Sequence, residues 1–152
     1  MGLISIQNEN EQGGEEFHPV LLRAAQAALE HQQVGPQAAL SIVLADDERL
    51  QQLNRDYLEI DAPTDVLSFP AGETDPDSGE TYLGDIIISV PRAKAQAEAG
   101  GHAVEQELEL LVVHGVLHLL GHDHYEADEK AAMWAVQAKV LEELGNPLRP
   151  EG

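Results

Sequence analysis

The chain has 152 residues, with 28 acidic against eight basic side chains, a formal net charge of −20 and no cysteine. This balance argues against a general DNA- or RNA-coating protein, because such binding needs lysine and arginine to neutralise phosphates. Without cysteine there are no disulfides or thiolate ligands, so a tightly held metal would need His, Asp or Glu. The length fits a single domain, residues 1–152, and no apolar run approaches the ~18 residues of a membrane span. We expect a soluble cytoplasmic protein that does not associate with a membrane.

Hydrophobic periodicity and turn residues predict strands and helices that alternate along most of the chain. In chain order they are a strand Leu3–Gln7, a helix from about Pro19 to Gln33, a strand Ala39–Ala45, a helix from Asp46 to Leu58, strands Val66–Pro70 and Tyr82–Val90, and helices Pro91 to Ala99, Val104 to Leu120 and Glu126 to Leu144. The turn-rich segment 71–80 is predicted to be an exposed loop. This order predicts an α+β fold with one four-stranded mixed sheet and about five helices packed on it.

Four of the seven histidines lie between positions 114 and 124. His114 and His118 are four residues apart, so on a helix they project from one face and can reach a common metal ion. Gly121 tolerates φ > 0 and would turn the chain after the helix, which would bring His124 back as a third ligand. Three neutral imidazoles leave the fourth position of a zinc ion open for water. We therefore predict one Zn²⁺ on His114, His118 and His124.

The alternative is a set of surface histidines at a helix end, where cationic imidazoles favour the helix dipole. That reading explains neither the spacing nor Gly121. We expect His122 to lie behind the ligands or in solvent, and Asp123 to cap the last helix or to orient a ligand imidazole. The isolated histidines are expected to be exposed to solvent: His18, His31 and His102.

Metzincin proteases carry the same frame, His-Glu-x-x-His-x-x-Gly-x-x-His, in which the glutamate is the general base. Here that position is Gly115, which cannot accept a proton. The frame therefore predicts a metal-dependent hydrolase that is not a protease of this type. Phosphodiester hydrolysis remains open to it, because zinc can activate water or polarise a phosphate oxygen.

The segment from His114 to His124, HGVLHLLGHDH, resembles the zinc motif of the YbeY family of endoribonucleases. The segments DAPTDVLSFP at 61–70 and LGDI at 83–86 are similar to two further motifs of that family. The resemblance implies an α+β domain with zinc on His114, His118 and His124. It also implies cleavage of single-stranded RNA during ribosomal RNA maturation and quality control, particularly at the 3′ end of the small-subunit RNA, with that subunit or its RNA as partner.

Two residues are candidates for the catalytic chemistry beside the metal. Asp85, a carboxylate among apolar strand neighbours, is the candidate general base or partner of a zinc histidine, and the alternative is a strand-end aspartate that accepts backbone hydrogen bonds. Leu58 stands where family members usually have an arginine that contacts the RNA phosphate. Arg55, three residues earlier on a predicted helix, is expected to replace it. The alternative is a surface arginine paired with Asp56 or Glu59.

Three functions stay open on the sequence. The first is a zinc-dependent endoribonuclease of ribosomal RNA processing. A metal-dependent hydrolase of another substrate is the second, and Gly115 counts against a peptidase. The third is a ribosome-assembly factor that keeps zinc only for structure, which Leu58 and the net charge of −20 favour. The acidic charge also favours a ribosome-associated protein partner that supplies basic surface.

Overall fold

The computed structural model describes residues 3–9, 14–35, 37–121 and 127–148. Its strands are β1 (Leu3–Asn8), β2 (Ala38–Ala45), β3 (Val66–Thr74) and β4 (Thr81–Ser89). Its helices are α1 (His18–His31), α2 (Asp47–Leu58), α3 (Val90–Gly100), α4 (Val104–Leu119) and α5 (Ala127–Glu143). The strands form one sheet in the order β1-β2-β4-β3, with β1, β2 and β4 parallel and β3 antiparallel to β4. The predicted α+β fold, with one four-stranded mixed sheet and five helices, is confirmed. None of the described helices is long and apolar enough to cross a membrane.

The ends of several helices follow from single residues that the sequence marks. Asp46 caps α2, since its Oδ1 accepts a hydrogen bond of 2.8 Å from the Arg49 backbone N–H. Pro91 lies in the first turn of α3, where its missing N–H costs no hydrogen bond. Gly121 follows α4 with φ 97°, a conformation that side chains with a Cβ rarely adopt. These residues therefore fix where α2 and α3 begin and where α4 ends.

The sheet has two faces with different coverings. Side chains alternate along β4, so Ile86 and Ile88 join the large core formed with α1, α4 and α5. Ile87 points the other way and packs with Leu50 and Leu53 of α2. Consequently α4 and α2 lie on opposite faces of the sheet. We call these the α4 face and the α2 face.

The prediction of an exposed loop over 71–80 was wrong for its first part. β3 continues to Thr74 past a bulge, with Glu73 and Thr74 paired to Tyr82 and Thr81 of β4. Both sides of this extension are exposed, so no hydrophobic alternation marks it in the sequence. Gly84 faces the bulge at φ 141°, and a Cβ there would come within 2.3 Å of the Phe69 carbonyl oxygen. The bulge therefore requires glycine at this position.

Candidate metal centre

His114 and His118 lie one turn apart on α4 and bring their Nε2 atoms to 3.1 Å. Their rings are nearly perpendicular, at 77°, with centroids 4.6 Å apart. Two imidazole nitrogens bound at ~2.0–2.1 Å to one tetrahedral zinc ion lie about 3.3 Å apart. The described pair therefore fits two ligands of one zinc ion.

The third predicted ligand, His124, lies outside the described residues, as do His122 and Asp123. Within the described ranges, no group of three His, Asp or Glu side chains gathers as a metal site would require. The three-histidine set thus stays a prediction. The structure describes the geometry of two of its members, His114 and His118.

The imidazole of His114 is held from behind by α5. Its Nδ1 lies 2.9 Å from Oε1 of Gln137, whose side chain is fully buried. The Trp134 ring approaches the His114 ring edge-on, with centroids 5.6 Å apart. Sequence reasoning missed Gln137. The signal that could have found it is a polar residue within the apolar stripe of α5 that includes Met133, Val140 and Leu141.

Gly115 lets α4 pack closely on β4. A Cβ at this position would lie 2.9 Å from Cγ2 of Ile86, which is itself fully buried. The position after His114 therefore points into the core and not toward the histidine Nε2 atoms. A glutamate there, as in the protease frame, could not fit without displacing the sheet or the helix.

A cavity of about 500 Å³ opens beside His114, between α3, α4 and α5. Its polar lining includes Asp65, Gln96, His102 and Glu107, and Leu110 and Leu111 supply part of its apolar wall. His102 Nε2 lies 2.6 Å from Glu107 Oε1, and their side chains are only 16% and 8% exposed. The prediction that His102 is exposed was therefore wrong, because the first turns of α4 supply a carboxylate that pairs with it.

Asp85 belongs to a second site, on the α2 face. It alternates with Ile86, so its side chain points away from α4 and toward a groove of about 490 Å³. The Tyr82 hydroxyl donates to the Asp85 carboxylate and lies 2.8 Å from Ser41 Oγ. Burial raises the pKa of Tyr82, the hydrogen bond to Asp85 raises it further, and the Ser41 contact opposes both. The structure does not bring Asp85 to the histidines.

Arg55 also lies away from the histidines, on α2. Its Nε is 3.5 Å from Asp56 Oδ1, and both side chains are about half exposed. This contact matches the alternative of a surface arginine. Leu58 and Tyr57 are exposed beside it, at 53% and 67%. A role for Arg55 in RNA contact stays a prediction, and it would act from the α2 side of the sheet.

Comparison with known proteins identifies the family of this chain. The sequence profile described as "Endoribonuclease YbeY" matches residues 4–145. The chain belongs to the YbeY family. It is 42% identical to the Endoribonuclease YbeY of Mycolicibacterium smegmatis over 92% of this chain and 83% of that one. It is 44% identical to that of Brevibacillus brevis, over 92% and 94% of the two chains. These matches confirm the YbeY resemblance drawn from the sequence motifs.

The fold of this chain is similar to that of a solved structure. The solution structure of TM1509 from Thermotoga maritima aligns with a TM-score of 0.60 at 24% identity. The alignment covers 94% of this chain and 92% of that one. At this identity the likeness supports the fold alone.

Proposed function

We propose that this chain is a zinc-dependent endoribonuclease specific for single-stranded RNA, acting in ribosomal RNA processing at the 3′ end of the small-subunit RNA and in ribosome quality control. On this proposal the small ribosomal subunit or its RNA is the partner of the chain, and the chain acts in the cytoplasm. The observation that carries the proposal is the pair of Nε2 atoms 3.1 Å apart on α4 of a YbeY-family chain. The relatives named above are called endoribonucleases, which supports RNA as the substrate class.

His114, His118 and His124 would hold the zinc ion. Bound zinc would supply a water molecule with a pKa of about 7 and a Lewis acid for a phosphate oxygen. The neutral histidines leave the charge of the ion uncompensated, which favours an anionic substrate. The cavity beside His114 has both apolar and polar walls, as ligand sites commonly do, and it would take part of a nucleotide next to this one ligand.

Zinc content and RNA cleavage of wild type and His118→Ala test this function together. We expect about one zinc per wild-type chain and, in the variant, loss of zinc with cleavage of a single-stranded ribosomal RNA fragment reduced at least ~100-fold. His31→Ala, on α1, is the matched control and should keep both properties. Cleavage that persists in His118→Ala, or in fully zinc-free protein, would contradict the proposal. Casein incubated in parallel separates this function from that of an atypical peptidase.

The second candidate is an assembly factor that keeps zinc for structure and does not cut RNA. The exposed Leu58 at the family's arginine position favours it, together with the net charge of −20. It predicts that zinc removal lowers the melting temperature while purified protein leaves RNA intact even at high concentration. A basic ribosome-associated protein would then supply the contacts to RNA that this chain lacks.

A further inference from the structure

Gln137 is a polar side chain on the apolar side of α5, at the wall of the cavity beside His114. It is fully buried, as are Met133, Val140 and Leu141 on the same side of α5. Its Nε2 has no hydrogen-bond partner among the described residues, so the contact to His114 is the hydrogen bond in view that offsets its burial. A buried amide satisfied at one end is less stable than an apolar side chain of equal size. Packing alone therefore does not explain why a glutamine occupies this position.

The contact with Gln137 determines which ring nitrogen of His114 carries the proton. A carbonyl oxygen has lone pairs and no hydrogen, so Gln137 Oε1 at 2.9 Å accepts and His114 Nδ1 donates. In a neutral imidazole with its proton on Nδ1, Nε2 carries the lone pair. That Nε2 is the atom 3.1 Å from His118 Nε2. The opposite amide orientation would donate to Nδ1, move the proton to Nε2 and remove the lone pair that a metal needs.

We propose that Gln137 is a positioning residue of the metal centre. Its carbonyl oxygen holds His114 in the Nδ1–H tautomer and fixes the ring orientation, so that Nε2 is presented beside Nε2 of His118 before any metal binds. The part of this proposal that concerns zinc affinity rests on the zinc site of the proposed function. The tautomer itself is a property of the metal-free chain and can be measured separately.

Two substitutions separate positioning from packing. Gln137→Met keeps an unbranched side chain of similar size and removes the amide acceptor, whereas Gln137→Glu keeps an acceptor oxygen. In competition with a chromophoric chelator, we expect Gln137→Met to bind zinc about 10–100-fold more weakly than wild type, and Gln137→Glu to remain within about threefold. Equal affinity of folded Gln137→Met and wild type would overturn the proposal.

Asn146→Ala is the matched control for a general loss of stability. Asn146 is also buried and also hydrogen-bonds to α4, but as the donor, through Nδ2 to Gln106 O at 2.9 Å and to Glu109 Oε1 at 3.1 Å. We expect it to lower the melting temperature while zinc affinity stays within about threefold of wild type. A loss of zinc affinity equal to that of Gln137→Met would assign the effect to stability and overturn the proposal.

The tautomer is read directly by proton–nitrogen NMR of the zinc-free protein. The His114 signals are assigned by their loss in His114→Ala, at an alkaline pH at which the nitrogen shifts of the ring show that it is neutral. We expect the Nδ1–H pattern in wild type and in Gln137→Glu, and a mixture of both tautomers in Gln137→Met. A dominant Nε2–H pattern in wild type would overturn the proposal, even if Gln137→Met fails to fold. If wild type binds no zinc, the zinc function fails while this spectrum still decides the role of Gln137.

Discussion

The α4 face and the α2 face of the sheet differ in how they are covered, although neighbouring residues of one strand contribute to both. On the α4 face, Ile86 packs directly under Gly115, and the helix that carries His114 is held close to the sheet. On the α2 face, Asp85 stays in a polar groove with Tyr82 and Ser41, because α2 covers only part of the sheet. The comparison teaches that residues adjacent in a motif can belong to separate sites, since side chains alternate across a strand.

The largest test of this comparison sets Asp85→Asn against His114→Ala. We expect His114→Ala to lower RNA cleavage at least ~100-fold with loss of zinc, because it removes a ligand. Asp85→Asn should keep zinc and stay within about threefold in kcat, since its groove lies across the sheet from the histidines. Single-turnover cleavage and metal analysis of the same preparations measure both. A loss of kcat in Asp85→Asn comparable to that of His114→Ala would support Asp85 as the general base.

Close packing on the α4 face is tested by Gly115→Ala. The added Cβ would press on fully buried Ile86, which should lower the free energy of unfolding by about 1–3 kcal/mol. The greater helix propensity of alanine over glycine should offset about 1 kcal/mol of this loss. Urea denaturation measures the change. Gly35→Ala is the control, because nothing lies within 4 Å of a Cβ built there. A gain in stability of about 1 kcal/mol, the full helix advantage of alanine over glycine, would mean that α4 can move away from β4 at no cost.

The smallest expected effect belongs to Arg55 on the α2 side. If Arg55 contacts an RNA phosphate from there, Arg55→Ala should raise KM by about 3–10-fold and weaken its salt dependence, with kcat nearly constant. Lys139→Ala, which removes an exposed charge from α5, is the control. An unchanged KM would contradict a contact between Arg55 and RNA, and a loss of kcat would mean that Arg55 acts in the cleavage step itself.

Much of the fold could be predicted from local signals. The caps Asp46 and Pro91 and the turn glycine Gly121 marked where helices begin and end, and the β-branched runs marked β2 and β4. The continuation of β3 to Thr74 could not be predicted. Its pairing is made by backbone groups with β4, and exposed side chains on both sides leave no hydrophobic period.

The sequence by itself determined the spacing of the histidines, the glycine that follows the first of them and the motifs that identify the YbeY family. Those features are local, because residues four apart meet on any helix. Only the tertiary structure decided that Gln137 meets His114 and that Asp85 lies across the sheet from the histidines. The first contact joins residues 23 positions apart on two helices, and the placement of Asp85 depends on which face of β4 α4 covers. Such contacts follow from how elements pack, and no local period of the sequence encodes them.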